Sequence, residues 1–477
     1  MTGPVPRDAA AIARAVSAGQ LRVVDVVGAA LDRAEAIAPL NAFTVIDREG
    51  AMEAAHRLDR RIASGGVSGL PLLGVPFASK DFTPTAGHLT TRGSWSTGVQ
   101  VPDTDPVYVR RLKTAGAVLI GKTTTPEFAY SSFTHSPRWG VTRNPYDPER
   151  TPGGSSGGAA VAVATGCVPI AEGTDMGGSV RIPAAFSGVV GLKPSLGRIP
   201  MDILPLGPDI LSHFGPLASC VDDAASFLSV TQGADASDIL SQPAPEAIGR
   251  IDPARAPRLA LSPDLGYYRV EPEVAGRVTE AAQRLRDAGA VVETVDLGWS
   301  REVNDTWLRL WGVTLAASWG DALRTHRDRM DPQVVALMEA GLDCRGVDVP
   351  RLEALRHRLW RDLAGIFGRY DALLTPTCAV MAPRHDETDS DFDHSEPDGR
   401  YRGLDMTCPF NLVGPCPALS VPVGTAGGLP VGLQIVGPRF ADRQVLRIGK
   451  LVEQCYPPLA PPKDSFDPRG YSEEVRK

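Results

Sequence analysis

Two glycine-rich serine clusters within one short stretch constrain the fold of this chain more than any other feature. Residues 153–158 read Gly-Gly-Ser-Ser-Gly-Gly, residues 177–179 read Gly-Gly-Ser, and an apolar segment separates them. Glycines beside a serine allow backbone conformations that other residues avoid, and they let backbone N–H groups approach a ligand closely. The stretch of residues 151–194 is therefore expected to present serine hydroxyls to chemistry.

The composition argues against two classes of partner. With 43% hydrophobic and 22% charged residues, the 477-residue chain is typical of globular proteins. Its formal net charge of −7 argues against nucleic acid, which binds to basic surfaces. The longest weakly polar run, residues 157–171, is interrupted by glycine and is too short to span a membrane. We therefore expect neither a nucleic-acid partner nor a membrane segment.

The N-terminus and the cysteines predict a cytoplasmic protein. The first residues, MTGPVPRDAAAIARAV, lack the apolar core of a secretory signal. The seven cysteines form no Cys-x-x-Cys pair, and an odd, scattered set is typical of reduced thiols. Cys408 and Cys416 could be interpreted as metal ligands, but lone buried cysteines are far commoner. We expect no metal and no cofactor.

Hydrophobic periodicity predicts helices that alternate with strands, which favours an α/β fold. Two amphipathic helices are expected over residues 8–38, with a break near Gly19. A long helical region is expected over residues 301–325. We predict one large domain whose central mixed, mostly parallel twisted sheet is covered by helices on both faces.

Three short segments match known sequence motifs but lack the surrounding residues that these motifs require. Residues 116–123 fit the P-loop pattern, but the residues between its glycines are typical of a buried strand. Residues 389–393 resemble the start of an EF-hand, but His394 and Arg400 stand where glycine and glutamate are required. Residues 153–157 fit the Gly-x-Ser-x-Gly nucleophile elbow, yet polar, proline-broken residues precede them. A Ser-His-Asp triad stays open as an alternative through the downstream histidines His213, His326, His357, His385 and His394.

Lys80 has an unusual position for a lysine. It ends the apolar segment of residues 73–79, which predicts a strand, and Asp81 follows it. Lysines are mostly exposed, so Lys80 is either partly buried or one half of a structural ion pair. Burial disfavours the charged form, and a neutral lysine can act as a general base near pH 7. Lys80 would thus supply a base without any histidine.

These segments together resemble the amidase signature family. The resemblance is carried by residues 153–158, by GTDMGGSVRIP at 173–183 and by GVVGLKP at 188–194. Further matching segments occur towards both ends, at residues 41–43, 74–77, 121–123, 126–128, 144–145 and 432–437. Met176 and residues 124–125 depart from the family pattern, which leaves the substrate open.

The resemblance implies a Ser–Ser–Lys triad. Ser179 would be the nucleophile that forms an acyl-enzyme. Ser155 would follow a cis peptide bond after Gly154 and relay protons between Ser179 and Lys80, the final base. An oxyanion hole would be formed by the backbone N–H groups of Met176, Gly177, Gly178 and Ser179.

Further residues are expected to support the site or to line the substrate pocket. Asp175 and Arg181 would brace the loop, and Ser156 would support Lys80 or the loop by hydrogen bonding. The pocket would be lined by Phe128, Ala129 and Tyr130, and Trp307, Trp311 and Trp319 could form another wall.

The resemblance also implies how the chain is organised. One amidase-signature domain would span residues 1–477. Its parts would be a helical N-terminal part (1–70), a catalytic core (71–217), a variable central region that shapes the pocket (218–400) and a C-terminal part that adds strands and a helix (401–477).

The implied function is hydrolysis of a small-molecule carboxylic amide, and esters, anilides and carbamates are equally compatible. A homodimer is one oligomeric state that is compatible with this family. The alternative is the glutamine-hydrolysing subunit of a tRNA-dependent amidotransferase, which shares the triad and works with partner subunits.

Overall fold

The computed structural model describes residues 5–66, 69–207, 209–245, 248 and 251–459. Residues 1–4 and 460–477, the outer ends of the predicted N-terminal and C-terminal parts, lie outside the described residues. The strands are β1 (Phe43–Ile46), β2 (Pro76–Lys80), β3 (Val118–Thr123), β4 (His135–Ser136), β5 (Gly140–Val141), β6 (Ile170–Asp175), β7 (Val190–Lys193), β8 (His213–Ala218), β9 (Arg258–Leu261), β10 (Val291–Thr294), β11 (Ala372–Pro376), β12 (Ala418–Ala426) and β13 (Leu429–Val436). The helices are α1 (Ala9–Ser17), α2 (Val23–Ala36), α3 (Arg48–Ala63), α4 (Val107–Thr114), α5 (Gly157–Ala164), α6 (Arg181–Ser187), α7 (Val221–Thr231), α8 (Pro272–Asp287), α9 (Glu302–Trp319), α10 (Asp321–His326), α11 (Pro332–Leu342), α12 (Asp348–Phe367), α13 (Pro409–Leu412) and α14 (Asp442–Cys455).

Eleven of these strands form one mixed sheet, in the order β1-β3-β2-β6-β8-β7-β12-β13-β11-β9-β10. Four neighbouring pairs are parallel, namely β3–β2, β2–β6, β11–β9 and β9–β10. The other six pairs within the described residues are antiparallel. The predicted mixed sheet is confirmed, but the expectation that it is mostly parallel is wrong. Helical crossovers produce the parallel flanks, whereas the hairpin of β12 and β13 forces antiparallel pairing at the centre.

Helices cover both faces of the sheet, as predicted. In β11, Ala372 and Leu374 belong to one hydrophobic core and Leu373 belongs to another. Successive residues of a strand point to opposite faces, so these two cores lie on the two sides of the sheet. The first core takes side chains from α1, α2, α7, α8 and α14, and the second takes them from α9, α12 and α13.

Several helices lie where the hydrophobic periodicity of the sequence predicts them. The helices expected over residues 8–38 are α1 and α2, which are separated around Gly19. The long helical region expected over residues 301–325 is divided at Gly320 into α9 and α10. No helix in the described ranges is long and apolar enough to cross a bilayer.

Two features of the fold position the serine clusters. Strands β2 and β6 are parallel neighbours, so their carboxyl ends meet at one edge of the sheet. Helix α5 begins at Gly157, within the first cluster, and α6 begins at Arg181, two residues after the second. Each cluster is therefore held at the start of a buried helix.

Candidate active site

Lys80 and Ser155 meet at the carboxyl end of the parallel strands. Lys80 is the last residue of β2, and its side chain is fully buried. Its Nζ lies 2.6 Å from Oγ of Ser155, 75 positions away in the chain, and 2.9 Å from Oγ1 of Thr174 on β6. The structure thus brings the predicted base and the predicted relay serine into direct contact.

The surroundings of Lys80 favour its neutral form. Burial lowers the pKa of Lys80 to about 7, although the negative charges of Glu172 and Asp175 oppose this shift. Desolvation acts in this direction because a buried ammonium loses its hydration while the neutral amine loses little. Lys80 can therefore accept a proton near neutral pH.

The first serine cluster forms the turn that precedes α5. The peptide bond between Gly154 and Ser155 is cis, as the family resemblance implies. The backbone N–H of Ser156 donates to the carbonyl of Ser179 at 3.1 Å. Its hydroxyl donates to the carbonyl of Thr174 at 3.4 Å. Ser156 therefore ties the first cluster to the loop that carries the second.

Ser179 lies on the loop between β6 and α6. Gly178, the residue before it, has a φ of 134°, a backbone conformation that favours glycine. Ser179, Ser155 and Thr174 line the same cavity. The hydroxyl-bearing residues of both clusters therefore share one space.

Asp175 and Arg181 form a buried ion pair at the two ends of this loop. Arg181 Nε lies 2.9 Å from Asp175 Oδ2, and Nη2 lies 2.9 Å from Oδ1. Burial by itself raises the pKa of Asp175, but the charge of Arg181 and hydrogen bonds from Arg181 and Asn411 outweigh it and hold this pKa well below its usual range. The remaining guanidinium contacts are to the Thr407 carbonyl, Gln434 Oε1 and Asn411 Oδ1.

The backbone donors near Ser179 are not equivalent. The N–H of Gly178 donates to Asp175 Oδ1 at 2.8 Å, so it is engaged within the protein. The carbonyl of Gly177, on the opposite side of the same planar peptide unit, accepts the hydroxyl of Thr407 at 2.5 Å. Of the four predicted oxyanion donors, the N–H of Gly178 therefore stabilises the loop and does not point to a substrate.

Trp307 fixes the preceding peptide unit. Its indole N–H donates to the Met176 carbonyl at 2.9 Å. Its ring packs so closely on Gly177 that a Cβ at this position would collide with it. Because the N–H of Gly177 points away from the carbonyl of Met176 in a planar trans peptide, Trp307 orients this N–H.

One side of Ser179 opens into an apolar cavity of about 300 Å³. Phe128 and Ala129 line this cavity and have positive φ values of 51° and 60°, which are rare for residues other than glycine. The ring of Phe128 stacks on Trp319 with centroids 5.2 Å apart. Further walls come from Phe82, Met176, Met201, Leu204 and Trp311.

The other side of Ser179 opens into a smaller, more polar cavity of about 120 Å³. Tyr130 lines this second cavity, and its ring lies 4.9 Å from that of Trp311. Carboxylates also line it, from Asp305, Asp389, Asp393 and Asp405. The predicted pocket segment is therefore divided, with Phe128 and Ala129 on the apolar side and Tyr130 on the polar side.

The alternative motifs do not assemble into sites. Among the described residues that line the two cavities, none is a histidine. His213 is buried beneath the loop, where burial lowers its pKa to about 3, so it is a poor base at neutral pH. Lys122 of the P-loop-like segment lies in β3, and its Nζ contacts the Thr83 carbonyl. Residues 389–391 form a short 3₁₀ turn.

Several residues of the site were missed from the sequence. Thr174 lies beside the predicted residue Asp175 in the chain, but no pattern in the sequence marks its contact with Lys80. Thr407, Asn411 and Gln434 contact Arg181 from more than 200 positions away. No local pattern marks these three residues, because their role depends on the tertiary fold alone.

Comparisons with known proteins identify the family of this chain. Residues 25–446 match the family model described as Amidase. The chain is 36% identical over 474 residues to a glutamyl-tRNA(Gln) amidotransferase subunit of Symbiobacterium thermophilum, covering 92% of this chain and 95% of that protein. It is 34% identical over 455 residues to an acylamidase of Rhodococcus erythropolis, covering 94% of both chains.

A solved structure extends the likeness to the fold. The crystal structure of a bacterial aryl acylamidase of the amidase signature enzymes superposes with a TM-score of 0.87 at 32% identity, covering 95% of this chain and 97% of the other. The chain therefore belongs to the amidase signature family and is a hydrolase of amide carbon–nitrogen bonds.

Proposed function

We propose that this chain hydrolyses an amide with an apolar substituent through an acyl-enzyme on Ser179, with Ser155 as proton relay and Lys80 as base. One observation carries the proposal: the 2.6 Å separation of Lys80 Nζ and Ser155 Oγ, beside a cavity that Ser155 and Ser179 share. A base needs hydrogen-bond reach to the proton it accepts and a pKa near the working pH, and Lys80 meets both conditions.

During acylation, a proton is relayed from Ser179 to Lys80 and then back to the amide nitrogen. Oγ of Ser179 attacks the carbonyl carbon while its proton passes to Ser155, whose own proton passes to neutral Lys80. The proton then returns from Lys80 through Ser155 to the amide nitrogen, the carbon–nitrogen bond breaks and the amine leaves. Water attacks the resulting ester by the same route, which releases the acid and regenerates Ser179.

Backbone N–H groups would stabilise the negative charge that develops on the carbonyl oxygen. The proposed donors are the N–H groups of Gly177, which Trp307 orients, of Ser179 and of Met176. The N–H of Gly178 is not among them, because it donates to the carboxylate of Asp175. One such donor contributes about 3 kcal/mol in the transition state of comparable enzymes. The ion pair of Asp175 and Arg181 supports this role by fixing the loop.

The apolar cavity supports the choice of substrate class. Its volume of about 300 Å³ lies at the lower end of small-molecule sites, and its walls include four aromatic side chains, from Phe82, Phe128, Trp311 and Trp319. Burial of an aryl or alkyl group there contributes roughly 25 cal/mol for each Å² removed from water. Anilides, and esters or carbamates with similar substituents, fit the same chemistry.

The amidotransferase subunit remains the second candidate, because relatives of that name are 36% identical to this chain. Glutamine carries an α-carboxylate that needs a cationic partner once it is desolvated. Among the described residues that line the two cavities, none is a lysine or an arginine. The lining therefore favours an apolar amide over glutamine.

The two candidates are separated by assaying the purified chain alone. We expect it to release 4-nitroaniline from the 4-nitroanilide of a short fatty acid, and to release no ammonia from glutamine. Ser179→Ala is the matched control, because it should abolish turnover while the fold is retained. Glutaminase activity without anilide turnover would instead support the amidotransferase function.

A further inference from the structure

We propose that Glu172 is a positioning residue of the proposed reaction: its buried carboxylate accepts the backbone N–H of Lys80, which holds the end of β2 in place and brings a carboxylate close to the base. This inference rests on the proposed function, because it assigns a partner to the proposed base. Glu172 lies on β6, two residues before Thr174, and is fully buried.

The carboxylate of Glu172 is fully engaged by donors from neighbouring elements. Oε2 accepts the backbone N–H of Lys80 at 2.9 Å and the hydroxyl of Tyr108 at 2.8 Å. Oε1 accepts the hydroxyl of Thr83 at 3.1 Å. Oε2 also lies 3.3 Å from Oγ of Ser79, which itself contacts the Tyr108 hydroxyl at 2.7 Å. The contact to Lys80 fixes the backbone of the residue whose side chain reaches Ser155.

Burial of such a carboxylate is unfavourable unless charges and hydrogen bonds compensate for it. Burial raises the pKa of Glu172, and its hydrogen bonds with Lys80 and Tyr108 and the charges of Lys80 and Lys122 offset only part of this rise. The charge of Asp81, which directly follows β2, in turn favours the ammonium form of Lys122 on β3. These groups form a buried cluster in which the charge of each lysine is opposed by carboxylates.

This cluster has a direct consequence for the base. Lys80 becomes an ammonium when it takes the proton of Ser155, although its side chain is fully buried. Glu172 and Asp175 are the carboxylates whose charge favours that form, and Asp175 is already paired with Arg181. Removal of the charge of Glu172 should therefore make the ammonium of Lys80 less stable and Lys80 a weaker base.

The test is the pH dependence of kcat/KM in Glu172→Gln, which keeps the shape and an acceptor oxygen but removes the charge. We expect the acid limb of the profile to move to lower pH, because removal of a nearby negative charge lowers the pKa of an ammonium group. We expect kcat to fall with it. Glu172→Asp, which keeps the charge, should leave the limb near that of the unsubstituted protein.

Two further variants keep the test decisive. Ser79→Ala removes only the longest contact to Glu172, so it should leave the limb in place. If Glu172→Gln does not fold, Tyr108→Phe replaces it: loss of the hydroxyl raises the pKa of Glu172, so the limb should move in the same direction by a smaller amount. A limb that stays in place in Glu172→Gln, or in Tyr108→Phe when only that variant folds, overturns the inference.

The failure of this inference can be told apart from failure of the proposed function. If the unsubstituted protein forms no acyl-enzyme, the proposed function fails. If it turns over an anilide with a normal acid limb and the Glu172 variants only lose rate, the role of Glu172 is merely structural.

Discussion

Arg181 and Asp175 form a two-contact ion pair that is fully buried beneath the loop of Ser179. The same carboxylate accepts the N–H of Gly178, one position before the candidate nucleophile. The pair thus connects the end of β6 to the start of α6 and fixes the backbone between them. Its position makes it a determinant of loop geometry rather than a surface contact.

Asp175→Asn should destabilise the protein by about 3–5 kcal/mol, because it leaves the guanidinium of Arg181 buried without a counter-charge. The free energy of unfolding in urea measures this loss. Glu53→Gln is the matched control: it breaks the exposed ion pair with Arg57, which should change stability by at most about 0.5 kcal/mol. Equal effects of the two substitutions would contradict a structural role for the buried pair.

Lys80→Met should lower kcat/KM by about a thousandfold, within the range of about 10²–10⁴ that general base catalysis contributes. Methionine fills a similar volume without a buried amine, so the melting temperature should change little. Lys122→Met is the matched control, because Lys122 is a second buried lysine whose contacts are with Thr83, Thr85 and Thr90 rather than with Ser155. A loss of activity as large in Lys122→Met would argue that burial of charge matters more than base catalysis.

The pH profile should report the neutral form of Lys80. Because burial lowers the pKa of Lys80 to about 7, the active, neutral form is lost as pH falls through that value. We expect kcat/KM to fall about tenfold for each further pH unit on the acid side. Steady-state kinetics on an anilide measure this limb. A limb in the range of an ordinary carboxylate, or of an exposed lysine, would point to another base.

Trp307→Phe should lower kcat more than it raises KM. Phenylalanine keeps the aromatic packing on Gly177 but loses the indole N–H that donates to the Met176 carbonyl. Trp319→Phe is the matched control, because Trp319 lines the apolar cavity and stacks on Phe128, so its replacement should act mainly on KM. Separate measurement of kcat and KM distinguishes the two effects, and a purely KM effect in Trp307→Phe would exclude orientation of the loop.

The sequence predicted the centre of the site better than its surroundings. Glycines and serines at fixed spacing mark the two turns at the starts of α5 and α6, and the apolar segment before Lys80 marks a buried strand end. These features are local, so a pattern along the chain is enough to find them. Thr407, which binds the Gly177 carbonyl, has no such pattern, because only the fold brings it to the loop.

The sheet shows the same limit. Alternating helices and strands predicted a sheet with parallel parts, and parallel pairs such as β2 with β6 and β9 with β10 lie at its two flanks. The antiparallel centre depends on pairs such as β7 with β12, whose strands are more than 200 positions apart in the chain. Periodicity reports which face of a strand is buried but not which strand lies beside it.

The central claim is that Ser179 is the nucleophile and Lys80 its base. It is tested most directly by treating the protein with a serine-directed fluorophosphonate, measuring the intact mass and mapping the modified peptide. The account predicts one adduct on Ser179, formed with loss of fluoride, and a strongly slowed reaction in Lys80→Met. An adduct on Ser155 or Ser156 would contradict it, as would labelling of Ser179 at an unchanged rate without Lys80.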